Sequence, residues 1–494
     1  MRRIGLGVLA AFALLLAVIG IRTATFSSRR PVAPAVPVAP VDADAAARRL
    51  ADGLRYRSVS NEDPASIDSA QFAAFRSYLA RSYPRAHATL APELIGGASL
   101  LYTWKGRNPE LPALLLLAHQ DVVPVEAGTE AQLEHPPFDG VIADGFVWGR
   151  GAIDDKGYLF AILEAVEGLL AEGFTPERTI LLAFGSDEEV GGEQGALVIA
   201  QRLAQRGTKV DSALDEGGAI VQGAVPGVAA PLALIGIAEK GSVGITLSIE
   251  VEGGHSSTPP RHTAIGILAA ALTKLERSPM PGRIDGPTRS FLERLAPQVG
   301  APIRAVLANL WLFGPVLERV MSTQPPLDAM LRTTTAITIV DGGVKENVLP
   351  GRASAVVNFR ILPGDTIDDV VEHVRRSIDD ERIELKAGVR SVPRNPTTES
   401  PVDDPSFVRL ATTVEEIFPG VVALPFLVLG GTDARHYALV TPRLYRLSPF
   451  LFEKGDLKRV HGTNERLAVV NFANGIRFVR RLLESSAPAQ SRLP

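Results

Sequence analysis

Two stretches, residues 113–118 (ALLLLA) and 180–184 (ILLAF), are unbroken apolar runs. A strand with water on one face alternates apolar and polar residues, so a run without alternation must be covered on both faces. Between them, residues 158–171 set apolar pairs around Glu164 and Glu167 at helical spacing. Strand, helix, strand in that order predicts an α/β fold, a parallel sheet between two helical layers. Residues 244–252 obey another rule. Ile245, Leu247, Ile249 and Val251 alternate strictly with Thr246, Ser248, Glu250 and Glu252, the mark of a half-exposed antiparallel strand in a different sheet.

Around that strand the pattern predicts helices at 264–275 and 366–378, the latter after an Asp365/Thr366 cap, and strands at 336–340 and 353–361. Residues 241–390 therefore read as a two-layer α+β domain inserted into an α/β catalytic domain made of 45–240 and 391–484. Within the insert, 277–332 has a Pro- and Arg-rich helical texture of its own. A length of 494 residues accommodates this division.

The first residues stand apart. Residues 4–21 are apolar or glycine, with Arg2 and Arg3 before them and Arg22 after. Eighteen uncharged positions exceed the usual core of a signal peptide and reach the length of a membrane-crossing helix. Residues 1–22 read as a signal-anchor or a cleaved signal peptide. Either places the bulk of the chain outside the cytoplasm, periplasmic or extracellular, anchored in the first case and secreted in the second. Residues 23–44, with Pro31, Pro34, Pro37 and Pro40, read as a stiff stalk, and 485–494 as a disordered tail.

Composition narrows the chemistry. A net charge of −4 with interspersed signs offers no basic face for nucleic acid. The absence of cysteine excludes disulfides, thiol nucleophiles, iron–sulfur clusters and cysteine zinc sites. Any metal must rest on His, Asp and Glu. In open α/β sheets, ligands gather at the carboxyl ends of strands. There the chain sets His119 and Asp121; then, after Val147-Trp148, Asp154 and Asp155; then Glu188 and Glu189; then, after 212–214, Asp215 and Glu216. Anionic strand ends on one rim repel one another without a cation, and His with carboxylates favours zinc over calcium.

The segments LLLLAHQDVVPV, DGFVWGRGAIDDKG, GSDEEVGG, GGHSSTPP, ENVLPGRASAVVNFRILPGD, GGTDARHY and VHGTNE, in this order over about residues 45–480, resemble the di-zinc metallopeptidase family of aminoacylases, carboxypeptidase S, glutamate carboxypeptidase and succinyl-diaminopimelate desuccinylase. The likeness is greatest to the branch of carboxypeptidase S and the N-fatty-acyl-amino-acid hydrolases. It implies a zinc-peptidase-like three-layer α/β/α catalytic domain with an inserted lid or dimerisation domain. It also implies two Zn2+ per chain, replaceable by Co2+ or Mn2+, and a cis peptide after the bridging aspartate. By similarity Asp154 bridges the two ions. His119 and the acid of the Asp215-Glu216 pair complete one site, with the branch favouring Asp215; Glu189 and His461 complete the other. Glu188 is the expected general base, Asp121 the residue that orients His119, and His255 the group that stabilises the oxyanion. Arg360 matches the arginine that grips a free α-carboxylate, and Asn347, Gly431 and Thr432 look like further substrate contacts.

The expected activity is hydrolysis of the amide bond next to a free-carboxylate amino acid, a carboxypeptidase acting on short peptides. An aminoacylase, or an N-acyl-amino-acid hydrolase or synthase, would use the same residues. An inactive peptide-binding surface protein on this fold would lack a ligand or the base, and none is missing. The insert's edge strand offers a route to a homodimer.

Overall fold

The apolar runs do form strands buried on both faces. In the computed structural model, which describes residues 2–26, 32–61, 63, 66–223, 225, 227–389, 392–453 and 455–486, the chain divides into two units. One comprises 28–237, 400–426 and 432–494; the other comprises 1–27, 238–399 and 427–431. Arg29, Arg30 and Pro31 of the expected stalk, and the tail from 487, lie outside the described residues.

The strands in chain order are β1 (Glu93–Ile95), β2 (Ser99–Trp104), β3 (Ala113–His119), β4 (Val141–Ala143), β5 (Phe146–Trp148), β6 (Ile180–Gly185), β7 (Val210–Val221) and β8 (Leu232–Glu239). The insert adds β9 (Gly241–Glu250), β10 (Gly254–His255), β11 (Thr334–Gly342), β12 (Val348–Leu349), β13 (Arg352–Ile361) and β14 (Glu384–Ala387). Then follow β15 (Val422–Val428), β16 (Leu444–Phe452) and β17 (Arg466–Ala468).

The large sheet runs β1-β2-β6-β3-β7-β16-β8-β15. Its centre, β6-β3-β7-β16, is parallel, while β2 and β8 join antiparallel. Every residue of β3 and β6 is buried. Ala113, Leu115 and Leu117 pack with Ile199, Ala200 and Leu203 of the helix Ala196–Gln205. Leu114 and Leu116 alternate to the opposite face, and the almost wholly buried helix Lys156–Ala171 also packs on β3. Truncating Leu115 or Leu116 to Ala would cost about 2–5 kcal/mol.

Two strands differ from the expectation. Strand β5 belongs to a separate antiparallel sheet, β17-β5-β4, so residues 149–155 are not delivered by the main sheet. And β7 does not stop at Leu214. It continues to Val221 through an irregular register, Arg446 opposite Asp215 and then Ser448 opposite Ala219. Gly217 (φ 95°) and Gly218, where a Cβ would strike the carbonyls of Arg446 and Leu234, carry the chain through that irregularity. The Asp-Glu-Gly-Gly segment, which reads as a strand end, is a bulge in mid-strand.

The other unit holds an antiparallel sheet, β11-β13-β9-β14. Val243, Ile245, Leu247 and Ile249 of β9 and Val357, Phe359 and Ile361 of β13 pack against the helices Ala264–Glu276 and Ile367–Ile378. Thr366 and Asp369 form a capping box at the second helix. This is a two-layer α+β arrangement with β11 and β14 at its edges. Residues 286–328 form the helices Gly286–Leu295, Ala301–Ala308, Leu310–Met321 and Pro325–Asp328. The same unit includes the helix Arg2–Thr25, whose span Leu6–Thr25 has a mean hydropathy of 2.2 and no burial. Residues 32–40 carry no helix or strand but lie along the first unit: Ala33 N–H donates to Glu415, Val36 N–H to Glu416 O, and Arg477 to Ala39 O.

Candidate metal centre

The last residue of β3 is His119, and the sheet register sets it opposite Gly185 at the end of β6. Its ring is buried, with Nδ1 2.9 Å from Asp121 O and Nε2 2.9 Å from Asp154 Oδ1. Asp154 arrives by another route. Strand β17 pairs with β5, Arg466 opposite Trp148, and so brings residues 461–465 against the 149–154 loop. The buried Glu465 carboxylate binds that loop from end to end. Oε2 accepts from Arg150 (2.7 Å) and Gly151 N–H (3.0 Å), and Oε1 from Ile153 N–H (2.8 Å) and Asp154 N–H (3.2 Å). The same pairing delivers His461, whose Nε2 lies 3.0 Å from Asp154 Oδ2 and 3.2 Å from Glu189 Oε2. The Asp154–Asp155 peptide is cis, as the resemblance implies.

Beyond β6 the chain makes a short 3-10 turn, Glu188–Val190. Asp121 holds it: Oδ1 accepts Glu188 N–H and Oδ2 accepts Glu189 N–H, both at 3.2 Å, and Ser60 Oγ donates at 2.6 Å. Asp121 is thus shared between the histidine, 3.3 Å from its Nδ1, and the two N–H groups that the turn leaves without partners of its own.

These contacts gather two sets of donors around one carboxylate: His119, Asp154 and Glu216, and Asp154, Glu189 and His461, each with its ligand atoms within 4.8 Å of one another. The acid of the Asp215-Glu216 pair that faces His119 is Glu216. The preference for Asp215 is overturned because its carboxylate is committed elsewhere, accepting Ala434 N–H at 2.6 Å and Glu216 N–H at 3.0 Å. Successive residues of a strand point to opposite faces, so only one of the pair can turn to the site.

The electrostatics ask for a cation. Burial, joined by the charges of neighbouring carboxylates, pushes Glu216 and Glu188 well above the ordinary range, and Glu189 upward as well. Asp155 and Asp433 are raised for the same reasons. Hydrogen bonds to Asp154 and Glu189 lift His461 to about 10. Burial opposes the charge on Asp154, yet hydrogen bonds from His119 and His461 hold it low. Glu189 Oε1 and Asp155 Oδ1 are buried without a hydrogen-bond partner. Two imidazoles and three carboxylates, one of them shared by both sets, with an orphaned oxygen on Glu189, fit the binding of divalent metal.

Sequence reasoning missed several supports. Asp155 Oδ2 accepts His119 N–H at 3.2 Å. Lys156, its pKa lowered to about 7 by burial, donates to Tyr56 O (2.7 Å) and Gly53 O (3.3 Å) and lies over the Phe75 ring. Glu465 sits four residues after His461, and its spacing from that histidine was the one available signal. Asp433 is cradled by two glycines, since a Cβ on Gly185 or Gly192 would lie 2.5 or 2.1 Å from its oxygens. Thr432, expected at the substrate, caps the Asp433–Leu439 turn through Ala434 N–H. His436 bonds Gly191 O at 3.0 Å. His87 is half-buried in the helix Pro84–Leu90, 3.0 Å from the Tyr102 hydroxyl.

The remaining candidates belong to the other unit. His255 is exposed on β10, its Nδ1 2.8 Å from Ser257 Oγ. Strand β12 pairs with β10, and Asn347 O accepts Ser256 N–H at 3.2 Å, so Asn347 and His255 come together. Arg360 is exposed near the end of β13, and its charge helps depress buried Lys240 to about 7, after burial itself. Gly431 is exposed.

Comparison with known proteins follows the same lines. The chain is 40% identical over 447 residues to the probable carboxypeptidase S-like 2 of Dictyostelium discoideum, covering 89% of this chain and 85% of that one. It is 38% identical over 428 residues to the N-fatty-acyl-amino acid synthase/hydrolase PM20D1 of Mus musculus, covering 85% and 84%. The fold superposes on the M20 family metallo-carboxypeptidase Sso-CP2 of Sulfolobus solfataricus with a TM-score of 0.64 at 18% identity, over 89% of this chain and 98% of the other. With the model of that family matching residues 115–485, the chain belongs to peptidase family M20/M25/M40.

Proposed function

We propose that this metallohydrolase binds two zinc ions and cleaves the amide bond beside an amino acid with a free α-carboxylate, as a carboxypeptidase on short peptides. The observation that carries the reading is the Asp154 carboxylate, one oxygen 2.9 Å from His119 and the other 3.0 Å from His461, shared by the set with Glu216 and the set with Glu189. Zinc held there would polarise the scissile carbonyl and acidify water. Glu188, on the turn fixed by Asp121, takes the proton of the attacking water on its carboxylate and returns it to the leaving amine. Asp121 keeps the His119 ring in place, and Glu465 keeps Asp154 in place. Arg360 binds the substrate carboxylate with its planar guanidinium, Asn347 and Gly431 contact the substrate, and His255 donates to the oxyanion, while buried Thr432 holds the turn that follows Gly431.

The likeness to PM20D1 favours a second reading of the substrate, an N-acyl amino acid in place of a peptide. The helix Arg2–Thr25 supports attachment to a membrane with the catalytic part outside the cytoplasm. The test is metal analysis of the full chain in detergent, followed by mass spectrometry of products from a panel of dipeptides, N-acyl amino acids and their amidated counterparts. About two zinc ions per chain and release of free amino acids from unblocked substrates are expected. A chain that takes up no metal after zinc supplementation, or that hydrolyses none of the panel, would sink the reading.

A further inference from the structure

The helices between β10 and β11 expose an apolar surface that the hydrolase reading does not use. Ile303 is 48% exposed, Trp311 54%, Val316 64% and Val320 59%, whereas Trp104 and Trp148 are 3% and 2% exposed. In Leu310–Met321, at about 3.6 residues per turn, Trp311, Pro315, Val316, Arg319 and Val320 fall within one half of the helix circumference. All five are exposed. The other two charges of the pair of helices turn inward: Arg304 donates to the carbonyls of Ala296 and Pro297, and Glu318 is half-buried.

This surface adjoins the end of the N-terminal helix. Arg22 Nε donates to Ala308 O at 3.4 Å, a last-turn carbonyl of Ala301–Ala308 that lacks a partner within its helix. Buried Asn309 donates from Nδ2 to Thr23 Oγ1 at 3.3 Å and accepts on Oδ1 from Trp311 Nε1, also at 3.3 Å. Trp311 therefore lies one side chain away from the last turn of Leu6–Thr25. Those twenty unburied residues span about 30 Å as a helix, the thickness of a bilayer's hydrocarbon core. The level of Arg22 and Thr23 is where hydrocarbon gives way to headgroups. Tryptophan and arginine are the residue types that reside at that boundary.

We propose that the helices Ala301–Ala308 and Leu310–Met321 form a membrane-interface element. Ile303, Trp311, Val316 and Val320 enter the glycerol and upper acyl layer of the bilayer that Leu6–Thr25 crosses, and Arg319 meets lipid phosphate. The proposal rests on the reading of Arg2–Thr25 as an uncleaved anchor and adds a second contact to it. The insert is then held flat against the membrane and does not hang from a single tether.

The test reconstitutes the full chain in vesicles of phosphatidylcholine and phosphatidylglycerol, with and without bromine on the upper acyl carbons. Flotation reports the anchor, and tryptophan emission reports the interface. Expected are quenching by bromolipid, shielding from aqueous acrylamide, and loss of the bromolipid effect in Trp311→Phe. A nitroxide on Val320→Cys, unique in a chain without cysteine, should meet oxygen more than a water-soluble nickel complex. Flotation with acrylamide-quenched, bromolipid-blind emission overturns the interface and leaves the anchor standing. Shielding from both quenchers with a doubled mass means a second copy covers the face, which also overturns it. Failure to float overturns the anchor and this proposal together.

Discussion

The two sheets handle charge in opposite ways. In the large sheet β3 and β6 are buried and apolar along their length, so polar groups collect at and past their ends, and β7 adds others where its register breaks around Gly217 and Gly218. Around these points gather His119, Asp121, Glu188, Glu189 and Glu216, joined from the β17-β5 side by Asp154 and His461, and all of these but the exposed His461 are buried or half-buried. In the β11-β13-β9-β14 sheet one face packs on helices and the other carries Asn358, while Arg360 near its end, like His255 on β10, is exposed. Charges crowded and buried acquire altered proton affinities and hold ions; charges left in water keep their reach and serve as contacts. Substitutions in the first region should therefore appear in kcat and metal content, and substitution of Arg360 in the second in KM.

The sharpest way to break that contrast is Glu188→Gln. Removing the proton acceptor while keeping its shape should lower kcat by about 10²–10⁴-fold with metal content unchanged. A variant with near-normal kcat would take the base role from Glu188. Glu465→Gln probes the same region at one remove, since Glu465 touches no candidate metal atom and acts through the Asp154 loop. Loss of the ionic partner of Arg150 should weaken metal retention by about 10- to 100-fold, measured by dialysis against graded chelator. Glu465→Asp should recover part of it. Full retention alongside a lowered Tm would reduce Glu465 to a structural role.

Arg360→Ala tests the exposed region. Losing a charge-assisted pair should raise KM for free-acid substrates on the order of 10- to 100-fold with little change in kcat. An equal rise for amidated substrates would remove the carboxylate contact.

How far the sequence reached follows from the same contrast. The apolar runs and strict alternation announced both sheets because burial on two faces or on one is written in each residue's neighbours. His119, Asp154, Glu189 and His461 were legible through family motifs, and the geometry brings them together. What stayed hidden was carried by pairing between distant segments. No local pattern says that β17 lies beside β5, so neither the separate three-stranded sheet nor the grip of Glu465 on Asp154 could be read. The Asp215-Glu216 choice failed for a similar reason: Ala434 N–H, 219 residues away, occupies Asp215. The glycines after them read as a turn because a bulge is visible only from the partner strand.

The smallest effect asks whether the crowding is relieved by a cation. In metal-stripped protein, burial and then neighbouring carboxylates raise Glu188, Glu216 and Asp433, and hydrogen bonds to Asp154 and Glu189 raise His461 to about 10. A group raised on folding holds a proton that the unfolded chain releases. Its stabilisation is complete below the unfolded value, about 4.3 for Glu and 6.5 for His, and is lost as pH climbs through the folded one. Asp154 and Asp121 are held low and act in the opposite sense, their contribution falling away only below about pH 4. From about pH 6.5 to 10 the Tm of stripped protein should therefore decline. Bound cations favour the ionised carboxylates and neutral imidazoles that higher pH supplies. The difference in Tm between zinc-loaded and stripped protein should widen across that window, in calorimetry at matched ionic strength. A constant difference would mean that the buried acids are balanced by the protein itself, and that the first region differs from the second in burial alone.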